Sequence, residues 1–400
     1  MVKLVNMKNR VAIFFLTIIL LLVGTTALVL YGRGYRLSFS RDNKTFIAGT
    51  GLLVATSNPD GAQILINGKL TSATNDTLNL VPGDYEVEII KVGYLPWKKK
   101  LKVEKEVVTK TDVRLFPSAP KLESITSTGV TNPVLDPTRT RIAYKITSLT
   151  PEKNGLYIFE MGNRPILTLQ GNANKLTDDK SGEFSASNIS FSPNAKFLIA
   201  TPSGATSNLT YLLSVENGNQ TPRLTNEAEF SQLNREWQKE KEEKEASRRN
   251  SLKEELRATI SANFRVVAWS PDETKILYEA SSSATLPALI TPPLLGASSQ
   301  PEQRSLAKGK TYIYDIKEDK NFYIDTPSSA LSWLDDRHLI VAKDGRIEIL
   351  EYDGSNRATV YAGPFLENFV AAWPDGSKLV ILTNLGNSDV TPNLYTVSLK

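Results

Sequence analysis

The sequence predicts an all-β protein behind one membrane-crossing helix: a small sandwich comes first, then a larger domain of repeated sheets. Three observations carry this. Residues 11–31 contain no charged side chain and are mostly Leu, Ile, Val, Phe and Ala. Between residues 51 and 117, short runs of alternating apolar and polar residues are separated by Asn-Gly and Pro-Gly turn signals. Beyond residue 120 one unit recurs five times: an apolar strand, a Ser/Asp-Pro type of turn and a second apolar strand.

At about 1.5 Å per residue, a helix over residues 11–31 is roughly 30 Å long, the thickness of a bilayer's hydrocarbon core. A charge at its centre costs roughly 2.5–3.5 kcal/mol, and this run has none. The basic start (Lys3, Lys8, Arg10) and the small residues Thr25-Thr26-Ala27 also fit a cleaved signal peptide. The apolar run continues past Ala27 and exceeds a usual signal-peptide core, which favours an uncleaved anchor. Basic residues lie on both sides, with Arg33, Arg36, Arg41 and Lys44 following the run, so local charge does not set the orientation. A short tail, one helix and a long domain is the layout of a signal anchor with its N-terminus inside. The expected layout is a cytoplasmic tail (1–10), a single-pass helix in contact with lipid of the cell membrane (11–31), a juxtamembrane stalk poor in apolar residues (32–50), and an extracytoplasmic remainder.

With 400 residues, 47 basic and 43 acidic, the chain has a net charge near +4, too small and too dispersed to argue for nucleic acid. The absence of cysteine removes disulfides, a thiol nucleophile, Cys-ligated zinc and an acylated cysteine anchor. His338 is the single histidine, which rules out di-histidine metal sites. It follows Asp335-Asp336-Arg337 and precedes Leu339-Ile340-Val341, the position of a turn residue where a strand begins. G-x-S-x-G, P-loop and H-E-x-x-H motifs are absent. No catalytic residue, metal or cofactor is expected.

The first domain begins at Leu52-Leu53-Val54 and passes through Ser57-Asn58-Pro59-Asp60-Gly61-Ala62 to Gln63-Ile64-Leu65-Ile66 and Asn67-Gly68, a hairpin signal. Val81-Pro82-Gly83-Asp84 is a second turn, and Tyr85-Glu86-Val87-Glu88-Ile89 a strand with one apolar and one acidic face. Leu101-Lys102-Val103-Glu104 and Asp112-Val113-Arg114-Leu115 repeat the alternation. The pattern predicts a small antiparallel β domain over residues 51–117 with one buried face. Lys98, Lys99, Lys100 and Lys102 beside Trp97 read as a solvated strand end, with a contact to anionic lipid or wall polymer as the alternative.

These residues resemble a PEGA domain. The Pro-x-Gly-Ala core is Pro59-Asp60-Gly61-Ala62, with Asp where the namesake has Glu, and the Asn-Gly hairpin, the Pro-Gly-x-Tyr strand and Val92-Gly93-Tyr94 follow in order. The resemblance implies a compact β-sandwich-like module of bacterial and archaeal surface proteins with no catalytic residues. Glycines serve its turns, and Tyr85 and Tyr94 its core.

The five later units pair Val134-Leu135-Asp136-Pro137 with Arg141–Tyr144, Ile189–Asn194 with Phe197–Ala200, Val267–Asp272 with Lys275–Tyr278, Leu331–Asp335 with His338–Val341, and Ala371–Gly376 with Leu379–Leu382. Each is followed by a third strand, at Leu156–Phe159, Tyr211–Val215, Tyr312–Asp315, Ile347–Leu350 and Leu394–Val397, and an outer strand shows in Pro222–Thr225. Four strands per unit, in series, is the pattern of a β-propeller over residues 121–400, with about five blades. The Trp-Ser-Pro-Asp and Trp-Pro-Asp-Gly turns resemble those of TolB-type propellers, related to the Trp-Asp repeat class. That resemblance implies a fold that hosts binding and catalysis alike. Since Val397-Ser398-Leu399 is a third strand, its outer neighbour is expected from residues 121–125.

Two insertions interrupt the repeat. In residues 226–260, 17 of 35 residues are charged, Gly and Pro are absent, and Phe230, Leu233, Trp237, then Leu252, Leu256, Ile260, recur at helical spacing. A long helix or helical hairpin is expected. Residues 281–310 form a Ser/Pro-rich loop with an apolar patch at Leu286–Ile290 and Leu294-Leu295. Insertions on a rigid scaffold commonly carry specificity, so Phe230, Leu233, Trp237, Leu289 and Leu294 are the candidate partner-binding residues. Packing of the two insertions on each other or on the propeller is the alternative. The function expected is a membrane-anchored extracytoplasmic binding or scaffold protein whose propeller engages a protein or a cell-envelope polymer. The other reading is an envelope-glycan hydrolase or lyase using the propeller mouth, with carboxylates such as Asp136, Asp272, Asp335, Asp336 and Asp375. Aspartates at repeat positions ordinarily cap turns.

Overall fold

The structure is a computed structural model describing residues 2–32, 35–39, 45–162, 173–180, 182–202, 209–216, 222–294 and 298–400. Two compact units emerge: Met1–Leu115 with Pro292–Pro301, and Phe116–Thr291 with Glu302–Lys400.

Helix α1 spans Val2–Gly32. Its stretch Val11–Gly32 is long and apolar enough to cross a membrane, and none of it is covered by protein. Thr17 Oγ1 donates to the Phe14 carbonyl (2.8 Å) and Thr25 Oγ1 to that of Leu21 (2.8 Å). These two hydroxyls are thus satisfied within the helix. Within residues 32–50, read from sequence as a stalk, Tyr35–Phe39 pairs antiparallel with Thr45–Gly49.

The rest of the first unit is a sandwich. One sheet has the order Asp76–Leu80, Gly51–Asn58, Val108–Arg114, the last pair being parallel. The other has the order Lys69–Ala73, Gln63–Ile66, Gly83–Ile90, Trp97–Val103. Alternate residues of both (Leu53, Ala55, Ile64, Val87, Ile89, Trp97, Leu101, Val113) form the core, with Tyr85 and Tyr94 at its margin. Asn67 and Gly68 sit at φ 50° and 77°, the paired left-handed residues of a type I′ turn. Asn67 Oδ1 accepts the Glu86 amide (2.9 Å). Ser57 Oγ donates to the Pro59 carbonyl (2.6 Å), and Thr74 Oγ1 accepts the Ala62 amide (2.9 Å), which fixes the Pro-Asp-Gly-Ala turn. The lysines of Trp97–Val103 do not form a free basic patch. Lys98, Lys100 and Lys102 stand opposite Glu88, Glu86 and Asp84 on the adjacent strand, and Lys98 pairs with Glu86 at 2.7 Å.

The second unit is of propeller type, built from five four-stranded antiparallel sheets among the described residues. Sheet I is Thr131–Leu135, Arg141–Ile146, Gly155–Glu160, Ala173–Asp178. Sheet II is Ser187–Phe191, Phe197–Pro202, Thr210–Ser214, Arg223–Thr225. Sheet III is Phe264–Trp269, Lys275–Ala280, Thr311–Asp315, Lys320–Ile324. Sheet IV is Leu331–Trp333, His338–Lys343, Arg346–Glu351, Ala358–Ala362. Sheet V is Val370–Ala372, Lys378–Thr383, Asn393–Ser398, completed by Leu122–Ser124 from before sheet I.

Sheet I packs face to face with sheets V and II, and sheet III with sheet IV, so the second strand of sheet I is apolar on both sides. In Arg141–Ile146, Ile142 and Tyr144 face Trp373, Val380 and Leu382 of sheet V, while Ala143 faces Phe191, Leu198 and Ala200 of sheet II. Leu277 and Ile313 of sheet III meet Leu331, Trp333 and Leu339 of sheet IV. The last sheet thereby packs on the first, with Phe159 edge-on to Trp373 at 5.9 Å.

One turn recurs after the first strand of sheets I, II, III and V. The residue just after the strand (Asp136, Ser192, Ser270, Trp373) donates its amide to a carbonyl five residues on and accepts one from the amide three residues on. That third residue has positive φ in each: Arg139, Ala195, Glu273 and Gly376. Side-chain oxygens complete the turns. Asp136 Oδ1 accepts the Thr140 and Arg141 amides (2.7 and 2.8 Å), Ser192 Oγ that of Phe197 (3.0 Å), and Ser270 Oγ that of Lys275 (2.9 Å).

Candidate functional site

The region between residues 226 and 263 is two helices, α2 (Glu227–Asn250) and α3 (Glu254–Asn263). The helical stretch therefore runs three residues beyond its expected limit and breaks at residues 251–253. Asn226 caps α2, its Oδ1 accepting the Glu229 amide at 2.9 Å. Glu227 and Glu229 in the first turn and Arg248 and Arg249 in the last match the helix dipole. Glu243 lies 3.7 Å from Lys239, and Gln232 and Gln238 donate to Glu236 and Glu242 (2.9 Å each), so polar side chains four apart line the helix surface.

The two helices are used differently. Leu256 and Ile260 of α3 are buried against Phe264, Ile276, Tyr278, Tyr312 and Tyr314 of sheet III, with Leu252 at the edge. Helix α2 has no buried residue. It is held near its C-terminal end, where Arg248 Nε donates to Glu273 (2.8 Å) and Glu245 accepts from Trp269 Nε1 (3.2 Å). Burial works against the Arg248 charge, but its bonds to Glu273 and Glu245 outweigh that and raise its pKa. Phe230, Leu233 and Trp237 lie half-buried on one face of the other end.

The loop over residues 281–310 is ordered by a small ladder, Ala284–Thr285 with Ser305–Leu306, and by Asp319. Asp319 is 3 % exposed and sits at φ 52°. Its carboxylate accepts the amides of Leu289 (2.6 Å) and Ile290 (2.9 Å), the Tyr314 hydroxyl, and Arg304 Nη1 at 3.4 Å. Burial alone would raise this carboxyl; the bonds from Tyr314, Ile290, Leu289 and Arg304 prevail and hold it below its ordinary value. Burial first, and the Asp319 carboxylate second, push the Tyr314 hydroxyl up, so it stays a donor.

Of the five candidate partner residues, the structure keeps three together: Phe230, Leu233 and Trp237. Leu289 is half-buried against the cluster of α3 and sheet III, and its amide is bound by Asp319. Leu294 is 48 % exposed and falls in Pro292–Pro301, which belongs to the first unit.

The repeat aspartates are engaged in their turns. Asp272 accepts the Thr274 amide (3.1 Å), Asp335 the amides of Arg337 and His338 (2.9 and 2.8 Å), and Asp375 that of Ser377 (2.9 Å). Asp336 accepts the Asp272 amide at 2.9 Å, linking the turns of sheets III and IV. His338 begins its strand as expected, 7 % exposed, with Nδ1 2.8 Å from Asp335 and its ring edge-on to Phe116. Sequence reading missed Arg139, which reaches from the first turn to the Trp333 carbonyl of sheet IV. Burial lowers its pKa, and Asp335 counters this. Two open hollows of about 430 and 440 Å³ meet at Asp325 and Arg357; in the first, Lys343, Arg346 and Arg357 are balanced by Asp325, Asp344 and Glu348.

Residues 50–119 match the family model of the PEGA domain. No curated protein matches the chain. Among solved structures, TolB from Acinetobacter baumannii is similar at 12 % identity and a TM-score of 0.23, the match covering 78 % of this chain and 60 % of TolB. A eukaryotic initiation factor matches at 11 % identity and a TM-score of 0.21, covering 91 % of this chain and 71 % of the factor.

Proposed function

We propose that the protein is a membrane-anchored binding and scaffold protein. Helix α1 holds it in the cell membrane with the N-terminus inside, and both units act outside the cytoplasm. The resemblance of residues 50–119 to modules of surface proteins supports this reading, as does a helix whose apolar side chains have no protein to cover them. The second unit engages a protein or an envelope polymer through α2. The observation that carries this is the split between the helices: α3 buries its apolar stripe on sheet III, whereas α2 has no fully buried residue and holds Phe230, Leu233 and Trp237 half-buried on one face.

The test must spare α3, because removing Leu256 would uncover sheet III. A photo-crosslinking residue replaces Asn234 in the full-length protein on intact cells, with and without Phe230→Ala, Leu233→Ala and Trp237→Ala. The expected result is a discrete adduct that the triple variant loses, while melting falls by no more than roughly 5 °C, three surface-scale changes in a unit of this size. An adduct of equal yield in the triple variant, or none in either, removes α2 as the partner site.

A further inference from the structure

The two ends of sheets III and IV are held differently. In a four-stranded antiparallel sheet, the turn after the first strand lies at one end, and the turn after the second strand and the exit from the fourth lie at the other. At the first-turn end the polar groups are bound within the protein: Asp336 accepts the Asp272 amide, and Arg139 of sheet I reaches the Trp333 carbonyl. The other end carries the hollow of about 430 Å³, between the exit of sheet III at Asp325 and the Lys343–Arg346 hairpin of sheet IV. The hollow of about 440 Å³ shares Asp325 and Arg357 with it and continues past Tyr323 to Leu350 and Gly354. We propose that these joined hollows bind an acidic glycan, with a sugar carboxylate on Arg346 and ring hydroxyls on Asp325.

Six charged side chains line the first hollow, and most of them answer one another. Arg357 Nη1 donates to Glu348 (2.9 Å) and Nη2 to Thr326 Oγ1 (2.6 Å), so this pair is fixed in the wall. Lys343 meets Asp344 at 3.7 Å with both side chains exposed, a weak pair. Two groups are left. The Arg346 guanidinium has no hydrogen-bond or ion-pair partner among the described residues. Asp325 accepts the Tyr323 hydroxyl at Oδ1 (3.0 Å), and its Oδ2 has no partner among the described residues.

A free guanidinium and a free carboxylate oxygen in one hollow select a ligand that is an anion and a hydrogen-bond donor at once. The planar fork of arginine matches a carboxylate, and a carboxylate oxygen accepts from hydroxyls. A bare anion would meet repulsion from Asp325 and Asp344, and a neutral sugar would leave Arg346 unanswered. A uronic acid satisfies both groups with one ring, and the second hollow offers the next ring the half-buried face of Tyr323. The lining also disfavours an extended peptide, which binds by adding to a sheet edge. Val341 and Glu348 lie opposite each other on the two inner strands of sheet IV, whose backbones are already paired, so recognition here is left to side chains.

The experiment is titration calorimetry on the purified full chain in detergent. The probes are an oligogalacturonate, a neutral gluco-oligosaccharide of the same length, and the dipeptide Lys-Glu. Half-saturation by oligogalacturonate is expected at about 1 mM or below. Arg346→Ala and Asp325→Ala should each weaken it about tenfold, the loss of one charge-assisted contact, with melting unchanged because both side chains are exposed. Asp325→Ala is the sharper variant, since removing a negative charge would strengthen any merely electrostatic attraction of a polyanion. Tighter binding by Asp325→Ala, unchanged binding by Arg346→Ala, or no heat from oligogalacturonate overturns the proposal. So does binding of the neutral oligosaccharide or the dipeptide as tight as that of oligogalacturonate. Neither variant lies in α2, and the purified protein holds no cell-surface partner, so this result and the α2 adduct can fail independently.

Discussion

Asp319→Ala tests how the loop over residues 281–310 is held. The substitution removes one carboxylate that accepts two backbone amides, the Tyr314 hydroxyl and Arg304. Bonds to a charged acceptor contribute about 1.5–3 kcal/mol each, and breaking a buried charged network costs about 3–5 kcal/mol in total. Arg304 keeps Glu302 at 3.1 Å and the Pro287 carbonyl at 2.6 Å, which places the cost at the lower end, about 3 kcal/mol. At roughly 2–4 °C per kcal/mol, melting of the second unit should fall by roughly 6–12 °C. Hydrogen exchange at Leu289 and Ile290 should accelerate in step, and Asp319→Asn, which retains an acceptor, should lose less. The sign with pH follows from the depressed carboxyl. Its contribution is complete above the unfolded value of about 3.9 and disappears as pH falls through the folded value, so wild type and variant should converge in acid. A melting shift below about 2 °C at neutral pH, or a gap that widens on acidification, would refute the reasoning.

Two further outcomes are expected. Leu256→Ala or Ile260→Ala in α3 should each destabilise the second unit by about 2–5 kcal/mol, read by denaturant melting, because both side chains fill the cluster on sheet III; a loss below about 0.5 kcal/mol would mean that α3 is not part of the core. Protease added to intact cells should digest the second unit, whereas protection of everything beyond residue 32 would reverse the orientation proposed for α1.

Much of the fold was legible because its determinants are local. The strands of sheet I read as apolar runs, since both faces of that sheet are covered, and Ser or Asp at the turn marks where an amide needs an acceptor. The closing strand was legible from topology, as a third strand in want of an outer neighbour. The left-handed turn positions were not, because Arg139, Ala195 and Glu273 carry ordinary side chains where glycine would have been the signal. Nor was the pairing of Lys98, Lys100 and Lys102, whose partners Glu88, Glu86 and Asp84 arrive by strand pairing. The surroundings of Leu289 were hidden for the same kind of reason: its amide is bound by Asp319, thirty positions away in the chain.

The candidate site shows where pattern reading stops. Phe230, Leu233 and Trp237 on α2 and Leu252, Leu256 and Ile260 on α3 are equivalent as sequence, since each is an apolar stripe on a highly charged helix. What separates them is attachment. Helix α3 runs directly into Phe264, the first residue of sheet III, so closing its stripe onto Ile276 and Tyr278 costs almost no loop entropy. That face of sheet III is then occupied. Helix α2 makes polar contacts through Glu245 and Arg248 near its far end, and its apolar residues are only half-buried. A half-buried apolar face on α2 and a fully buried stripe on α3 thus follow from how each helix is attached, and only the helix joined directly to sheet III enters its core.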